Sequence, residues 1–187
     1  MRVTGGTGKG RRLRVPPGDR VRPTSDKVKQ ALFNILGDRL DGAAFLDLFA
    51  GTGGIGIEAL SRGASRAVFI DDSRKSLDAV RHNIGQAGFG SRAQVIASKT
   101  ESFIKKTEDR YDIIFLDPPY TQEIGPLLEL IAGSALLAPA AVVVAEHFKK
   151  QPSLERAGAL TLYREAVYGD TVLAFYRTPA KDEEEKQ

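Results

Sequence analysis

Phe45-Leu-Asp-Leu-Phe-Ala-Gly-Thr-Gly-Gly-Ile-Gly-Ile-Glu-Ala-Leu60 divides into three pieces. Phe45 to Phe49 is apolar enough to be a buried strand. Gly51, Gly53, Gly54 and Gly56 form a turn in which the backbone can approach a ligand closely. Ile55, Ile57, Ala59 and Leu60 then give the following segment the apolar face of a helix. A strand, a glycine-rich loop and a helix in that order predict a site for a nucleotide-like cofactor.

The same spacing fits a dinucleotide fingerprint, with Gly51, Gly53 and Gly56 as G-x-G-x-x-G and Asp71 twenty positions after Gly51. Asp47, at the end of the first strand, tilts the choice. A carboxylate there repels a pyrophosphate but can hold the cationic amino group of a methionine moiety. S-adenosylmethionine is therefore the better candidate, with a nicotinamide dehydrogenase as the rival on the same fold. Asp71 then stands where a carboxylate accepts hydrogen bonds from ribose hydroxyls, with Asp72 beside it.

Outward from the loop, strand and helix alternate. The helix is expected to run to about Arg62 and close at Gly63, followed by a strand at Arg66–Ile70, a helix at Arg74–Ala87, a strand near Ala93–Ala97 and a helix near Thr100–Lys106. A buried strand in Asp112–Leu116, a helix at Ile124–Ala132, a strand at Ala140–Ala145 and a closing hairpin of residues 160–167 and 171–177 complete it. The pattern predicts an α/β fold with a mostly parallel sheet, helices on both faces and ligands at the carboxyl ends of the strands.

The second chemically loaded stretch is Asp112-Ile-Ile-Phe-Leu-Asp-Pro-Pro-Tyr120. Two prolines end and stiffen the strand, so the Asp117 carboxylate and the Pro118 carbonyl can be fixed acceptors while Tyr120 offers a stacking face. A flat base with an exocyclic amine fits such a turn. Glu146, at the next apolar strand's end, is a candidate for the same cleft. His147, beside Lys149 and Lys150, is expected at the surface without a chemical role.

The net charge of +3 hides an asymmetry: residues 1–30 carry nine Lys/Arg against two Asp/Glu, whereas the remainder carries eighteen against twenty-two. Residues 1–24 are expected to form a basic hairpin arm. Arg11, Arg12, Arg14, Arg20 and Arg22 are candidate phosphate contacts, since each can neutralise a phosphate and release counterions. Thr24 or Ser25 caps an amphipathic helix reaching Leu36, on which Lys27 and Lys29 are expected to extend the basic surface.

With 187 residues and 42% hydrophobic content, one substantial core is expected, in a domain of residues 25–178 before a charged, disordered tail at 179–187. The absence of cysteine excludes disulfides and thiolate metal ligands, and the isolated His82 and His147 make no zinc site, so no metal is expected. No apolar run is long enough to span a bilayer, and no continuous apolar segment follows the basic residues of the N-terminus. A cytoplasmic, monomeric protein is expected.

Leu46-Asp-Leu-Phe-Ala-Gly-Thr-Gly53 and Asp117-Pro-Pro-Tyr120 resemble the cofactor loop and the (Asp/Asn)-Pro-Pro-(Tyr/Phe) signature of amino-group methyltransferases. Together with Arg22-Pro-Thr24, Val28-Lys-Gln-Ala-Leu-Phe-Asn34, Gly56-Ile-Glu-Ala-Leu-Ser-Arg-Gly63 and Tyr168-Gly-Asp-Thr171, they make the chain similar to the RsmD family of bacterial 16S ribosomal RNA guanine-N(2)-methyltransferases up to about Arg177. The resemblance implies a Rossmann-like class I methyltransferase with a seven-stranded sheet. It also implies methyl transfer from S-adenosylmethionine, leaving S-adenosylhomocysteine, to a guanine amine of 16S ribosomal RNA in an assembling small subunit. The implied cofactor residues are Asp47, Ala50, Gly51, Thr52, Gly53, Asp71, Asp72 and Thr100. Asp117, Pro118 and Tyr120 are the implied catalytic residues, and Lys27 joins the arginines as an RNA contact. Two features depart from the family pattern: Ser98-Lys-Thr100 near the expected adenine position, and Asp71-Asp72 where a Glu is more usual. A DNA adenine-N6 methyltransferase shares the signature but needs a separate target-recognition region, for which no stretch is long enough. A non-catalytic ribosome-assembly module would need the arm and not Asp117.

Overall fold

The computed structural model describes residues 1–15, 24–119 and 121–178. The expectations for Arg20, Arg22, Tyr120 and the 179–187 tail lie outside the described residues. The chain divides into two compact units, Met1–Thr100 and Glu101–Gln187.

In the first unit the arm is a hairpin. Arg2 pairs with Arg12 antiparallel, the Val3 and Leu13 N–H groups donate to the Arg11 and Met1 carbonyls, and Val3 and Leu13 are buried. Helix α1, Asp26–Leu36, starts where the Ser25 hydroxyl accepts from the Val28 N–H, and buries Val28, Leu32, Phe33 and Leu36 along one stripe. Strand β1, Ala44–Leu48, leads to helix α2, Gly54–Ser61, whose residues are all buried, as its apolar circumference requires. Strand β2, Arg66–Asp71, helix α3, Arg74–Ala87, and strand β3, Ala93–Ala97, follow, and Gly88 closes α3 at φ 71°. Both β1–β2 and β2–β3 are parallel, with Leu48 opposite Ile70 and Asp71 opposite Ala97. Helix α4, Thr100–Lys106, starts at the last residue of this unit.

Lys29 departs from its expected place on the basic surface. Its side chain is fully buried, with Nζ donating to the Arg2 carbonyl at 2.5 Å and lying 3.6 Å from both Asp26 and Glu58. The cause is the arm itself, which folds over α1 and α2. Glu58 accepts from the Thr4 N–H and hydroxyl and from Arg62 Nε at 2.7 Å, so a buried acid and base share one network at the root of the hairpin. A sequence stripe cannot report burial contributed by a segment far away in the chain.

The second unit contains strand β4, Tyr111–Leu116, helix α5, Ile124–Ala132, and strands β5, Leu137–Phe148, β6, Arg156–Ala157, β7, Leu160–Tyr168, and β8, Thr171–Arg177. Strands β4 and β5 run parallel, with Leu116 opposite Ala145; β8 then adds antiparallel to β5, and β7 to β8. The β7–β8 hairpin turns on Gly169 and Asp170, with Gly169 at φ 63°, the positive φ that a two-residue hairpin loop demands. The described residues hold eight strands rather than the seven expected, because Arg156–Ala157 forms a two-residue strand against β7. Strand β5 is also twice as long as Ala140–Ala145: Ala140 sits at φ 60° near a register shift opposite Tyr111 and Ile113, and pairing continues to Phe148. Glu146 and His147 are therefore strand residues.

Candidate active site

The glycine loop leaves β1 through an unusual backbone. Phe49 is a non-glycine residue at φ 66°, and Gly51 and Gly53 follow at φ 55° and 76°. Such a conformation persists only where its surroundings hold it. Here the Ala50 N–H donates to the Ile70 carbonyl, the Gly53 N–H to the Ala50 carbonyl at 2.7 Å, and the Gly51 N–H to Asp71 Oδ2 at 2.8 Å. Gly56 serves packing: a Cβ there would stand 2.3 Å from the Phe69 ring.

Asp47 is 2% exposed, and its Oδ2 accepts from the Gly56 N–H at 2.9 Å. The amino end of α2 is thus already answered by an internal carboxylate. In a dinucleotide fold that end receives the pyrophosphate. An anion there would meet Asp47 across a medium of low dielectric, so the geometry disfavours a dinucleotide.

Asp71 stands at the end of β2, partly exposed. Its Oδ1 accepts from the Ser73 N–H at 2.8 Å, so one carboxylate ties the glycine loop to the start of α3. Burial raises its pKa above the ordinary value, against the lowering effect of the Ser73 and Gly51 hydrogen bonds. Each carboxylate oxygen has more than one acceptor position, so ribose hydroxyls can still be received there. Asp72 is exposed, Ala50 and Thr100 are buried, and the Ser98 N–H donates to the Asp71 carbonyl at 3.1 Å.

The arm reaches this loop. Asn83 of α3 is fully buried; its Oδ1 accepts from the Arg14 N–H at 2.7 Å, and its Nδ2 donates to the Arg14 carbonyl and to the Thr52 carbonyl at 2.9 Å. Arg11 donates to the Ala87 carbonyl, while Arg12, Arg14 and Lys27 are exposed. The basic arm is therefore built onto the unit that carries the glycine loop.

In the second unit, Asp117 follows the last residue of β4 and lines a cavity with Pro118, Pro119, Gln122, Glu146, His147 and Thr171. Its enclosed space of about 20 Å³ admits a water molecule and not a base, so a planar base would sit at its mouth. The Gln122 N–H donates to the Pro119 carbonyl at 2.8 Å, closing the turn. Among the described residues no hydrogen bond reaches the Asp117 carboxylate. It keeps some exposed surface, yet burial pushes its pKa up to about 7. An acceptor group is thus held at a strand end with no donor among the described residues.

His147 is buried instead of lying at the surface. Its Nε2 meets the Ser153 hydroxyl at 2.9 Å, its Nδ1 faces the Phe148 carbonyl at 3.2 Å, and Ser153 donates to Glu165 at 2.5 Å. Both ring nitrogens are engaged by groups of the same unit. The partners come from a loop and from β7, and no helical or strand spacing around His147 announces them. Asn83 and Glu58 are further residues that sequence reasoning did not single out; each is a polar residue at a core-facing position of its helix, the one signal that could have found them.

A protein-family model described as conserved hypothetical protein 95 matches residues 1–177. A putative rRNA methyltransferase of Bacillus subtilis, YlbH, is 41% identical, covering 95% of this chain and 98% of its own length. Ribosomal RNA small subunit methyltransferase D of Escherichia coli is 32% identical, covering 98% of this chain and 92% of its own. Among solved structures, a putative methyltransferase, yhhF, from Escherichia coli is similar with a TM-score of 0.86 at 33% identity, over 97% of this chain and 99% of that one.

Proposed function

Because the chain belongs to the RsmD family of small-subunit ribosomal RNA methyltransferases, we propose that it transfers a methyl group from S-adenosylmethionine to the exocyclic N2 amine of one guanine in 16S ribosomal RNA. The α/β methyltransferase fold is that of its relatives. The observation that carries the assignment is the Asp-Pro-Pro turn at the end of β4, where the Asp117 carboxylate lines a cavity and receives no hydrogen bond among the described residues.

S-adenosylmethionine supplies an electrophilic methyl group on a sulfonium. The chain's part is to hold the reactants and prepare the nucleophile. Asp47 and the loop of Ala50, Gly51, Thr52 and Gly53 are assigned the methionine end, Asp71 and Asp72 the ribose, and Thr100 the adenine side. The guanine amine is a weak nucleophile, because its lone pair is delocalised into the ring. Asp117 and the Pro118 carbonyl accept its two hydrogens, which favours a pyramidal nitrogen with its lone pair aimed at the methyl carbon. Tyr120, outside the described residues, is assigned the stacking face from its place in the signature, for a base turned out of its stack. Catalysis is then positioning and electrostatics without a covalent enzyme intermediate.

The exposed Arg11, Arg12, Arg14 and Lys27 are assigned to ribosomal RNA, with Arg20 and Arg22 joining them from the sequence. The substrate is an assembling small subunit in the cytoplasm, met by a monomer that uses no metal. Within the described residues no helix is long and apolar enough to cross a membrane. Mass-spectrometric mapping of 16S ribosomal RNA from a strain lacking the gene tests this. One N2-methylguanosine is expected to vanish and to return with the wild-type chain but not with Asp117→Ala; an unchanged methylation map would refute it. Calorimetric titration separates the remaining rival, which requires binding of NAD instead of S-adenosylmethionine.

A further inference from the structure

We propose that Glu146 is the residue that distinguishes guanine from the other amino bases, by accepting the N1–H while Asp117 accepts from N2. The inference rests on the N2-methyltransferase function proposed above. Three observations support it. Strands β4 and β5 are parallel with Leu116 opposite Ala145, so their next residues, Asp117 and Glu146, stand side by side on neighbouring strands. Both side chains line the same cavity. The end of β5 is fixed from behind, since His147 is held by Ser153, which is held in turn by Glu165, and Glu146 pairs with Leu173 of β8.

Adjacent strands lie about 4.8 Å apart, a spacing that brings two carboxylates to one edge of a planar base. Ionised carboxylates are acceptors only. Guanine presents N1–H and the N2 amine side by side, two donors for two acceptors. Adenine presents its amine beside the N1 lone pair, and cytosine its amine beside the N3 lone pair. Either would set a lone pair against the Glu146 carboxylate, acceptor against acceptor. Asp117 alone recognises an amine; the pair recognises guanine.

The test uses small subunits reconstituted on ligated 16S ribosomal RNA bearing either guanosine or 2,6-diaminopurine at the nucleotide that the wild-type protein methylates. Diaminopurine keeps the N2 amine, replaces N1–H by a lone pair and carries an amine in place of O6, so the comparison of Glu146→Gln with wild type on the same two substrates isolates the N1 contact. Wild type is expected to favour guanosine by about 100-fold or more in kcat/KM, and Glu146→Gln, whose amide can also donate, to bring the two within about 10-fold. Glu146→Asp, which keeps the charge, should retain the preference for guanosine at a lower rate, and S-adenosylhomocysteine affinity checks that each variant is folded. Equal losses on both substrates in Glu146→Gln would overturn the inference and leave the methyltransferase function standing. Absence of N2-methylguanosine with the wild type would overturn both.

Discussion

Replacing Asp117 by Asn should stabilise the protein above neutral pH while leaving it nearly unchanged in acid. Burial raises the folded-state pKa of Asp117 from 3.8 to about 7. A carboxyl raised in this way binds more protons when folded than when unfolded, so its contribution to stability falls as pH rises between about 4 and 7. At about 1.4 kcal/mol per pH unit, the full interval corresponds to about 4 kcal/mol. Asp117 keeps some exposed surface, and solvent screening reduces this to about 2–4 kcal/mol. Asn is neutral and nearly the same shape, so the variant escapes the penalty. Thermal and urea unfolding at pH 4.5, 6 and 8 should show a gain near zero in acid that grows to roughly 5–15 °C in Tm at pH 8 for a chain of this size. A gain independent of pH, or none at pH 8, would refute the claim that burial holds the carboxyl of Asp117 above its ordinary pKa.

The same group sets the pH dependence of turnover: kcat/KM should rise with pH through a limb near 7 as Asp117 ionises, and Asp117→Asn, whose carbonyl still accepts, should lose that limb. Asp117→Ala should abolish methyl transfer with little loss of S-adenosylmethionine affinity by calorimetry; retained turnover would rule out the amine-acceptor role. Neutralising Arg11, Arg12 and Arg14 should weaken RNA binding and reduce the salt slope by roughly 2, at about 0.7–0.9 per lost phosphate contact; an unchanged slope would make the arm a structural appendage. Lys29→Met should cost about 2–4 kcal/mol in urea unfolding, because it leaves the buried Glu58 carboxylate with Arg62 as its remaining cation. Gly56→Ala should cost about 1–3 kcal/mol as its methyl meets the Phe69 ring, seen as a lowered Tm.

The helices were legible because their signals are local. Ser25 caps the helix that the sequence places beside it, and the apolar runs of β1, β2 and β4 match strands buried on both faces. The Asp-Pro-Pro turn was legible for the same reason, since two prolines must end a strand. What escaped depends on contacts distant in sequence. Lys29 reads as a surface cation until the arm covers it. His147 reads as a surface histidine until Ser153 and Glu165 arrive from another part of the unit. Both ends of β5 lie beyond the expected Ala140–Ala145 because pairing, not hydrophobic pattern, carries them: Leu137 pairs with Tyr111 of β4, and Glu146 to Phe148 pair with β8.

The central claim is tested most directly by incubating the purified protein with radiolabelled S-adenosylmethionine and small ribosomal subunits from a strain lacking the gene. The ribosomal RNA is then digested to nucleosides and the label located by mass spectrometry. Label in N2-methylguanosine from one 16S nucleotide, absent with Asp117→Ala, is the predicted result. Label in adenosine or cytidine, or equal labelling with Asp117→Ala, would contradict it.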